Sequence, residues 1–198
     1  MGEPTVNEAE ARERLVSLFD DGVFTEIDAF AKSANGDVEA VAGFGTVGGA
    51  PVYAFSQNVG VNGGAVSVAQ CSKIKKIYDL AKKTGCPVVG IYDSNGMSLK
   101  EGFEGLSAYG EILKASACVS GVVPQISIVA GSALGTTALV ANMADIVVAV
   151  KDADFYLTAP SEVTAQDCAE EGTVDIVADD MASAIDSVRT VSYTHLTL

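Results

Sequence analysis

Residues 89–102 read VGIYDSNGMSLKEG, and they decide how the fold of this chain is interpreted. The segment begins as an apolar, strand-like run and ends in a small polar turn before charged residues begin. A second apolar run ends in a similar way within AGSALGTT, residues 130–137. We call residues 93–98 the first turn and residues 134–137 the second turn. A glycine turn between a strand and a helix leaves backbone N–H groups free, so these turns either connect elements or bind a ligand.

Helical and strand-like segments alternate on both sides of the two turns. Apolar residues at i, i+3, i+4 and i+7 predict a helix over residues 66–84, ended by Gly85 and Pro87. Other helices are predicted over residues 7–19 with Asn7 as the cap, 109–117, 136–144, and from Asp180 onward. Strands are predicted over residues 38–49 and 51–56, joined as a hairpin by Gly48 and Gly49, and over residues 86–92, 124–131, 145–150 and 154–157. This alternation is typical of an α/β domain.

The composition limits the possible classes of function. The chain has 198 residues, of which 48% are hydrophobic, so it suits one well-packed domain and not a disordered chain. Its formal net charge of -14 opposes general affinity for nucleic acid or an anionic membrane. The four cysteines have no CxxC spacing and no nearby histidine, which predicts reduced thiols and no metal site. No signal peptide or membrane span is recognisable, so we expect a soluble, cytoplasmic protein.

The sequence contains few side chains that could act as catalytic groups. The only histidine, His195, lies in VSYTHLTL, residues 191–198, which interrupts the preceding helical pattern. We interpret that segment as a fusion scar or a frayed native end, outside a domain of residues 1–190. Ser–His–Asp and Cys–His mechanisms therefore have no base. The stretch GFGTVGG, residues 43–49, lies between two strands and is not a dinucleotide loop. Catalysis here would depend on the backbone.

The order of segments resembles the carboxyltransferase subunits of biotin-dependent acyl-CoA carboxylases and decarboxylases, which have the crotonase-like fold. The most specific stretch is SGVVPQIS, residues 120–127. The full resemblance covers residues 11–28, 43–96, 101–112, 120–136, 159–163 and 172–189. It implies a single crotonase-like α/β domain over residues 1–190, built as a spiral of repeated β-β-α units.

The resemblance also implies a reaction, the movement of a carboxyl group between carboxybiotin and an acyl-CoA. In that family the biotin nitrogen takes the α-proton of the acyl-CoA, and backbone amides hold the enolate and ureido oxyanions. The matching amides are those of Gly96 and Met97 in the first turn and of Gly135 and Thr136 in the second turn. Biotin would arrive on a carrier protein, and a second carboxyltransferase subunit or a second copy of this chain would complete the site. No metal is expected.

Both turns depart from the family pattern. The family has Asp-Ser-Gly-Gly-Ala-Arg at the first turn, where this chain has Asn95 in place of a glycine and Ser98 in place of the arginine. Thr136 stands at a glycine position of the second turn. Asparagine tolerates a positive φ better than most residues, and a threonine N–H donates as well as a glycine N–H. We therefore expect the oxyanion holes to persist with an altered subsite.

Six further residues are predicted to bind the substrate: Gly63, Gly64, Lys73, Lys76, Ser94 and Asn95. The two glycines open a helix whose lysines would receive CoA phosphates, although such lysines are alternatively the solvated face of a helix. Three other functions are alternatives: a non-catalytic structural partner subunit, a biotin-independent hydratase or isomerase of the same fold, and a peptidase of this fold. The peptidase needs a nucleophile with a basic partner, and none is recognisable in the sequence. The hydratase or isomerase usually needs a glutamate near the second turn, and GTTALVANMAD offers none.

Overall fold

The computed structural model describes residues 8–158 and 164–195, with side chains to residue 191. The predicted cap Asn7 and the stretch APSEV, residues 159–163, lie outside the described residues. The strands are β1 Phe24–Glu26, β2 Ala40–Val47, β3 Ala50–Gln57, β4 Val88–Ser94, β5 Gln125–Leu134, β6 Ile146–Val150, β7 Asp154–Tyr156 and β8 Ile176–Ala178. The helices are α1 Ala9–Leu18, α2 Val68–Thr84, α3 Gly102–Val119, α4 Thr136–Ala141, α5 Ala165–Glu170 and α6 Met181–His195.

The strands form one mixed sheet in the order β1-β2-β3-β4-β5-β6-β8, with β7 paired to β5. The first three strands are antiparallel. The turn between β2 and β3 has positive φ at Gly48 and Gly49, which confirms the predicted hairpin. From β3 to β8 the neighbouring strands run parallel. The carboxyl ends of β4 and β5 therefore meet at one edge of the sheet, and both turns begin there.

Helices cover the two faces of the sheet, and alternate residues of β4 show the division. Val88 and Tyr92 pack in a core with residues of α2 and α3. Val89 and Ile91 pack on the opposite face with residues of α1 and α6. Strands buried on both faces have nearly continuous apolar sequences, which explains the apolar runs that precede the two turns. This arrangement confirms the α/β class.

Complete β-β-α units occur at β2-β3-α2 and at β6-β7-α5. The ten-residue strand β5 takes the place of two shorter strands in the centre of the sheet. Its first half pairs with β4 and β6, and its last three residues pair with β7. The predicted spiral is therefore present with units of unequal length.

Two helix boundaries differ from the prediction. Helix α3 begins at Gly102, about two turns before the predicted start, because its first half is rich in glycine and small residues that weaken the sequence signal. Helix α6 continues to His195, so the helical pattern does not end at residue 190, and residues 196–198 lie outside the described part. The short elements β1, β8 and α5 were not predicted. No helix in the described ranges combines the length and apolar character that a membrane span needs.

Asp20 joins the β2–β3 hairpin to helix α6. Its carboxylate accepts the N–H of Gly48 at 3.0 Å and of Gly49 at 2.8 Å, and Arg189 donates to it at 2.6 Å. The bond from Gly49 is the largest of the effects that lower the pKa of Asp20 to about 2. The carboxylate therefore stabilises the fold only while it is ionised.

We expect Asp20→Asn to lower the free energy of unfolding by about 1–2 kcal/mol at neutral pH. Because the folded pKa lies below the ordinary value of 3.8, this contribution is present above about pH 4 and is lost as the pH falls through about 2. Urea unfolding of both proteins measures the difference, which should shrink between about pH 5 and pH 2. The matched control is Asp21→Asn at the exposed neighbouring position, for which we expect no such trend. A difference that stays constant with pH would contradict the assignment.

Candidate functional site

The first turn is held by the preceding loop between β3 and α2. Asn95 N donates to Gly63 O at 3.1 Å, Val66 N to Gly96 O at 2.9 Å, and Ser98 N to Val66 O at 2.9 Å. Gly96 has a φ of 99°, whereas Asn95 is not among the residues with a positive φ. The replacement of the family glycine by Asn95 therefore requires no left-handed backbone.

The second turn lies beside the first because β4 and β5 are paired as far as Ser94 and Ala133. Gly135 has a φ of 58°, and its N–H donates to Tyr156 O of β7 at 3.0 Å. Helix α4 begins immediately afterwards at Thr136. The turns are in close contact, since a Cβ on Gly96 would lie 3.2 Å from the carbonyl oxygen of the second-turn leucine.

Two of the four predicted oxyanion amides are already bonded within the chain. The Gly96 N–H donates to Ser94 Oγ at 3.1 Å, and the Gly135 N–H is bonded to β7. Among the described residues, the N–H groups of Met97 and Thr136 have no acceptor, and both residues are half-buried. The prediction is therefore wrong for Gly96 and Gly135, and one free amide remains in each turn.

Asp93 holds the start of the first turn in place, at the end of β4. Its Oδ2 accepts from Arg14 of α1 at 2.7 Å, and its Oδ1 accepts from Ser132 N of β5 at 3.1 Å. Its own N–H donates to Gln57 Oε1 of β3 at 3.1 Å. Arg14 and Asp93 are only 9% and 5% exposed, so removing Arg14 would leave the buried Asp93 carboxylate without its cation. Arg14 also pairs with Glu10 of α1 at 2.5 Å.

Arg14 is not among the predicted site residues, although the sequence contains a signal for it. Arg14 lies on the buried face of α1, between positions occupied by Ala11, Leu15 and Leu18. A charged residue at an apolar-face position of an amphipathic helix requires a buried partner. Its partner lies 79 residues away in the chain, which no local pattern indicates.

The structure contradicts two of the predicted substrate-binding residues. Lys73 is 3% exposed and its Nζ donates to Ala40 O at 2.8 Å, and burial lowers the pKa of this lysine. Its ammonium therefore does not reach a CoA phosphate, since it is bonded inside the fold. Ser94 is fully buried and its hydroxyl bonds to Gly96, so it supports the turn and does not line a ligand site.

The other four predicted substrate-binding residues remain candidates. Asn95 is exposed, and its side chain lies against Gly63 at the edge of the first turn. Gly64 is packed against the end of β4. Lys76 is exposed and its ammonium pairs with Asp28. The glycines and Asn95 therefore lie at the first turn, while Lys76 lies further along α2.

The N-terminus of α2 binds carboxylates of this chain. Ser67 Oγ accepts the Gln70 N–H at 3.2 Å, and Glu101 Oε2 accepts the Val68 N–H at 2.6 Å. The Glu39 carboxylate bonds to the Ser67 hydroxyl. Burial, the largest effect, raises the pKa of Glu39, and the charge of Glu101 raises it further. A CoA phosphate at this helix start would meet these carboxylates, which disfavours the contact predicted there.

The fold and the site together define a class of protein. It is an α/β protein whose candidate site lies at the carboxyl edge of parallel strands and offers backbone amides from two adjacent turns. Fixed amides of this kind stabilise an oxygen that becomes negative during a reaction. Among the described residues, no cluster of three or more histidine, cysteine or acidic side chains is arranged to hold a metal ion.

Comparison with known proteins identifies the family. The family described as Carboxyl transferase domain matches residues 6–194, and the chain belongs to this family. It is 40% identical to the propionyl-CoA carboxylase beta chain of Roseobacter denitrificans over 77% of this chain and 32% of that protein. It is 36% identical to methylmalonyl-CoA decarboxylase subunit alpha of Propionigenium modestum over 90% of this chain and 40% of that protein. The chain therefore spans two fifths or less of these relatives.

Solved structures confirm the predicted crotonase-like fold. The chain superposes on transcarboxylase 12S, described as a hexamer and with hydrolysed methylmalonyl-CoA bound, with a TM-score of 0.85 and 33% identity. That match covers 92% of this chain and 40% of transcarboxylase 12S. A Pseudomonas malonate decarboxylase hetero-dimer matches over 93% of this chain and 86% of the other, with a TM-score of 0.82. At 22% identity, this second likeness shows the fold alone.

We expect Gly64→Ala to displace the first turn, because the added Cβ would lie 2.2 Å from Asp93 O and the residue has a φ of +70°. Forced overpacking of this kind costs about 1–3 kcal/mol or more. Thermal unfolding measures the loss. The control Gly110→Ala places a Cβ where nothing lies within 4 Å, in helix α3, and should raise stability by about 0.5–1 kcal/mol. A Gly64→Ala protein as stable as the wild type would contradict this close approach.

Proposed function

We propose that this chain is a carboxyltransferase half-subunit that transfers a carboxyl group between biotin on a carrier protein and an acyl-CoA. The observation that carries the proposal is the pair of free amides, at Met97 in the first turn and Thr136 in the second, in a member of the carboxyl transferase family. The names of the relatives, propionyl-CoA carboxylase and methylmalonyl-CoA decarboxylase, support a short acyl-CoA as the substrate.

The chemistry of carboxyl transfer fits these residues. Loss of the α-proton of an acyl-CoA places negative charge on the thioester oxygen. The N–H groups of Met97 and Thr136, fixed by their turns, can donate to that oxygen without reorganising, which lowers the energy of the enolate and of the transition state before it. Biotin, when delivered, supplies the carboxyl group and accepts the proton. Because Ser98 replaces the family arginine, stabilisation in the first turn depends on the Met97 amide.

A second candidate function is a non-catalytic structural subunit of such an assembly. The bonded amides of Gly96 and Gly135 favour it, because they leave one donor in each turn. One donor from each turn is nevertheless enough for a single oxyanion hole of two amides. The hydratase or isomerase alternative gains no support, since the stretch after the second turn contains no glutamate near Thr136.

We also infer that the site is completed by a second carboxyltransferase subunit or a second copy of this chain. Helix α3 and the residues just before it present an apolar stripe to solvent, with Leu99, Phe103 and Leu106 84%, 89% and 52% exposed. Exposed apolar side chains grouped in this way are typical of a surface that contacts another subunit. The hexamer described for transcarboxylase 12S supports an assembly of this kind.

Thr136→Pro tests the free amide. Thr136 is the first residue of α4, where proline is tolerated, so the change removes an N–H that has no described backbone acceptor. It also removes the Thr136 hydroxyl that interacts with Tyr109, as the alanine variant does. In the complex assembled with biotin carrier and partner, we expect kcat with propionyl-CoA to fall on the order of 100- to 1000-fold. The matched variant Thr136→Ala keeps the N–H and should stay near the wild-type rate. Equal rates for the two variants would refute the oxyanion role.

Phe103→Glu tests the apolar stripe. Burying a charge in a helix interface is costly, so the variant should shift the assembly toward smaller species in analytical ultracentrifugation. Val23, 69% exposed on β1's flank and far from α3 in sequence, provides the matched control as Val23→Glu. We expect Val23→Glu to leave the assembly unchanged. If Phe103→Glu assembles as the wild type does, the stripe is not the contact surface.

A further inference from the structure

Buried hydroxyl groups join the two turns beyond the end of the strand pairing. The last paired residues of β4 and β5 are Ser94 and Ala133. Beyond them, Thr137 Oγ1 donates to Ser94 Oγ at 3.3 Å, and the Tyr109 hydroxyl of α3 lies 2.5 Å from Thr137 Oγ1. We call Ser94, Thr137 and Tyr109 the hydroxyl chain. None of the three residues is more than 2% exposed, so solvent does not compete for these bonds.

The number of protons on each hydroxyl assigns a donor and an acceptor to each hydrogen bond of the hydroxyl chain. A threonine hydroxyl has one proton, and Thr137 gives it to Ser94, so Tyr109 is the donor to Thr137. Ser94 Oγ also accepts the Gly96 N–H at 3.1 Å, and its own proton points to Gly96 O at 3.4 Å. Burial, the largest effect, raises the pKa of Tyr109 to about 12. The tyrosine therefore keeps the donated proton near neutral pH.

The hydroxyl chain reaches the backbone next to both free amides. Thr137 directly follows Thr136, whose N–H is free in the second turn. Ser94 bonds the peptide of Gly96, which directly precedes Met97 in the first turn. The bond between Thr137 and Ser94 therefore restricts both the distance between the two amides and their relative orientation.

We propose that Thr137 is a positioning residue whose hydroxyl holds the second turn in register with the first, so that the Met97 and Thr136 amides converge on one oxygen. The identity of the oxygen that the amides bind rests on the proposed function. The alignment of the two turns is independent of that function, so a measurement without substrate can test the alignment.

The structure offers a matched control at the other end of β5. Ser116 Oγ of α3 donates to Gln125 Oε1 at 2.7 Å, and both residues are buried. This bond also joins two elements through a buried hydroxyl, but it lies at the amino end of β5, away from the turns. Ser116→Ala should therefore cost stability without changing the turns.

The experiment compares Thr137→Val, Thr137→Ser and Ser116→Ala in the assembled protein. Valine keeps the branched shape of Thr137 and removes the hydroxyl, while serine keeps the hydroxyl. Amide hydrogen exchange is measured over residues 94–98 and 134–138, and kcat and KM are measured with propionyl-CoA. We expect Thr137→Val to exchange about tenfold faster in both segments and to lose about tenfold in kcat with little change in KM, in line with one lost hydrogen bond. Thr137→Ser and Ser116→Ala should match the wild type in these segments and in kcat.

The two readouts separate the two proposals. Wild-type exchange in Thr137→Val, or equally fast exchange in Ser116→Ala, overturns the positioning role of Thr137. If the wild-type assembly shows no turnover and no thermal stabilisation with any acyl-CoA, the proposed function fails. In that case the exchange rates alone still decide whether the hydroxyl chain aligns the turns.

Discussion

A single buried carboxylate connects the elements on which the candidate site depends. Asp93 accepts hydrogen bonds from Arg14 of α1 and Ser132 of β5, and its backbone donates to Gln57 of β3. A buried ion pair is costly to break because the partner left behind remains charged in a medium of low dielectric. The position of the β4 end is therefore restricted to one arrangement, and the first turn extends from it.

Asp93 also explains why two glycines lie at this edge of the sheet. A Cβ on Gly131 would lie 2.5 Å from Asp93 Oδ1, and a Cβ on Gly64 would meet the Asp93 carbonyl. Gly131 leaves room for the carboxylate and Gly64 leaves room for the backbone at the end of β4, which a side chain at either position would prevent. The hydroxyl chain then links the turns on the side of the sheet covered by α3. The ion pair and the hydroxyl chain hold the free amides from two directions.

A site made of backbone donors depends more on φ than on side-chain identity. Asn95, Ser98 and Thr136 all differ from the family pattern, yet one N–H in each turn remains free. Gly96 retains the positive φ that shapes the first turn. The side chains around such a site can therefore change while its free N–H groups remain, since these donors belong to the backbone.

The sequence by itself determined the alternation of helices and strands, the hairpin at Gly48 and Gly49, and the place of both turns. These features depend on residues a few positions apart, where periodicity and glycine conformation act. Tertiary structure alone decided which amides are free and which lysine is buried. The Gly135 N–H donates to a carbonyl of a strand 21 residues away. The Lys73 ammonium donates to a carbonyl 33 residues away. Local sequence cannot specify such contacts, because they form only when distant segments pack together.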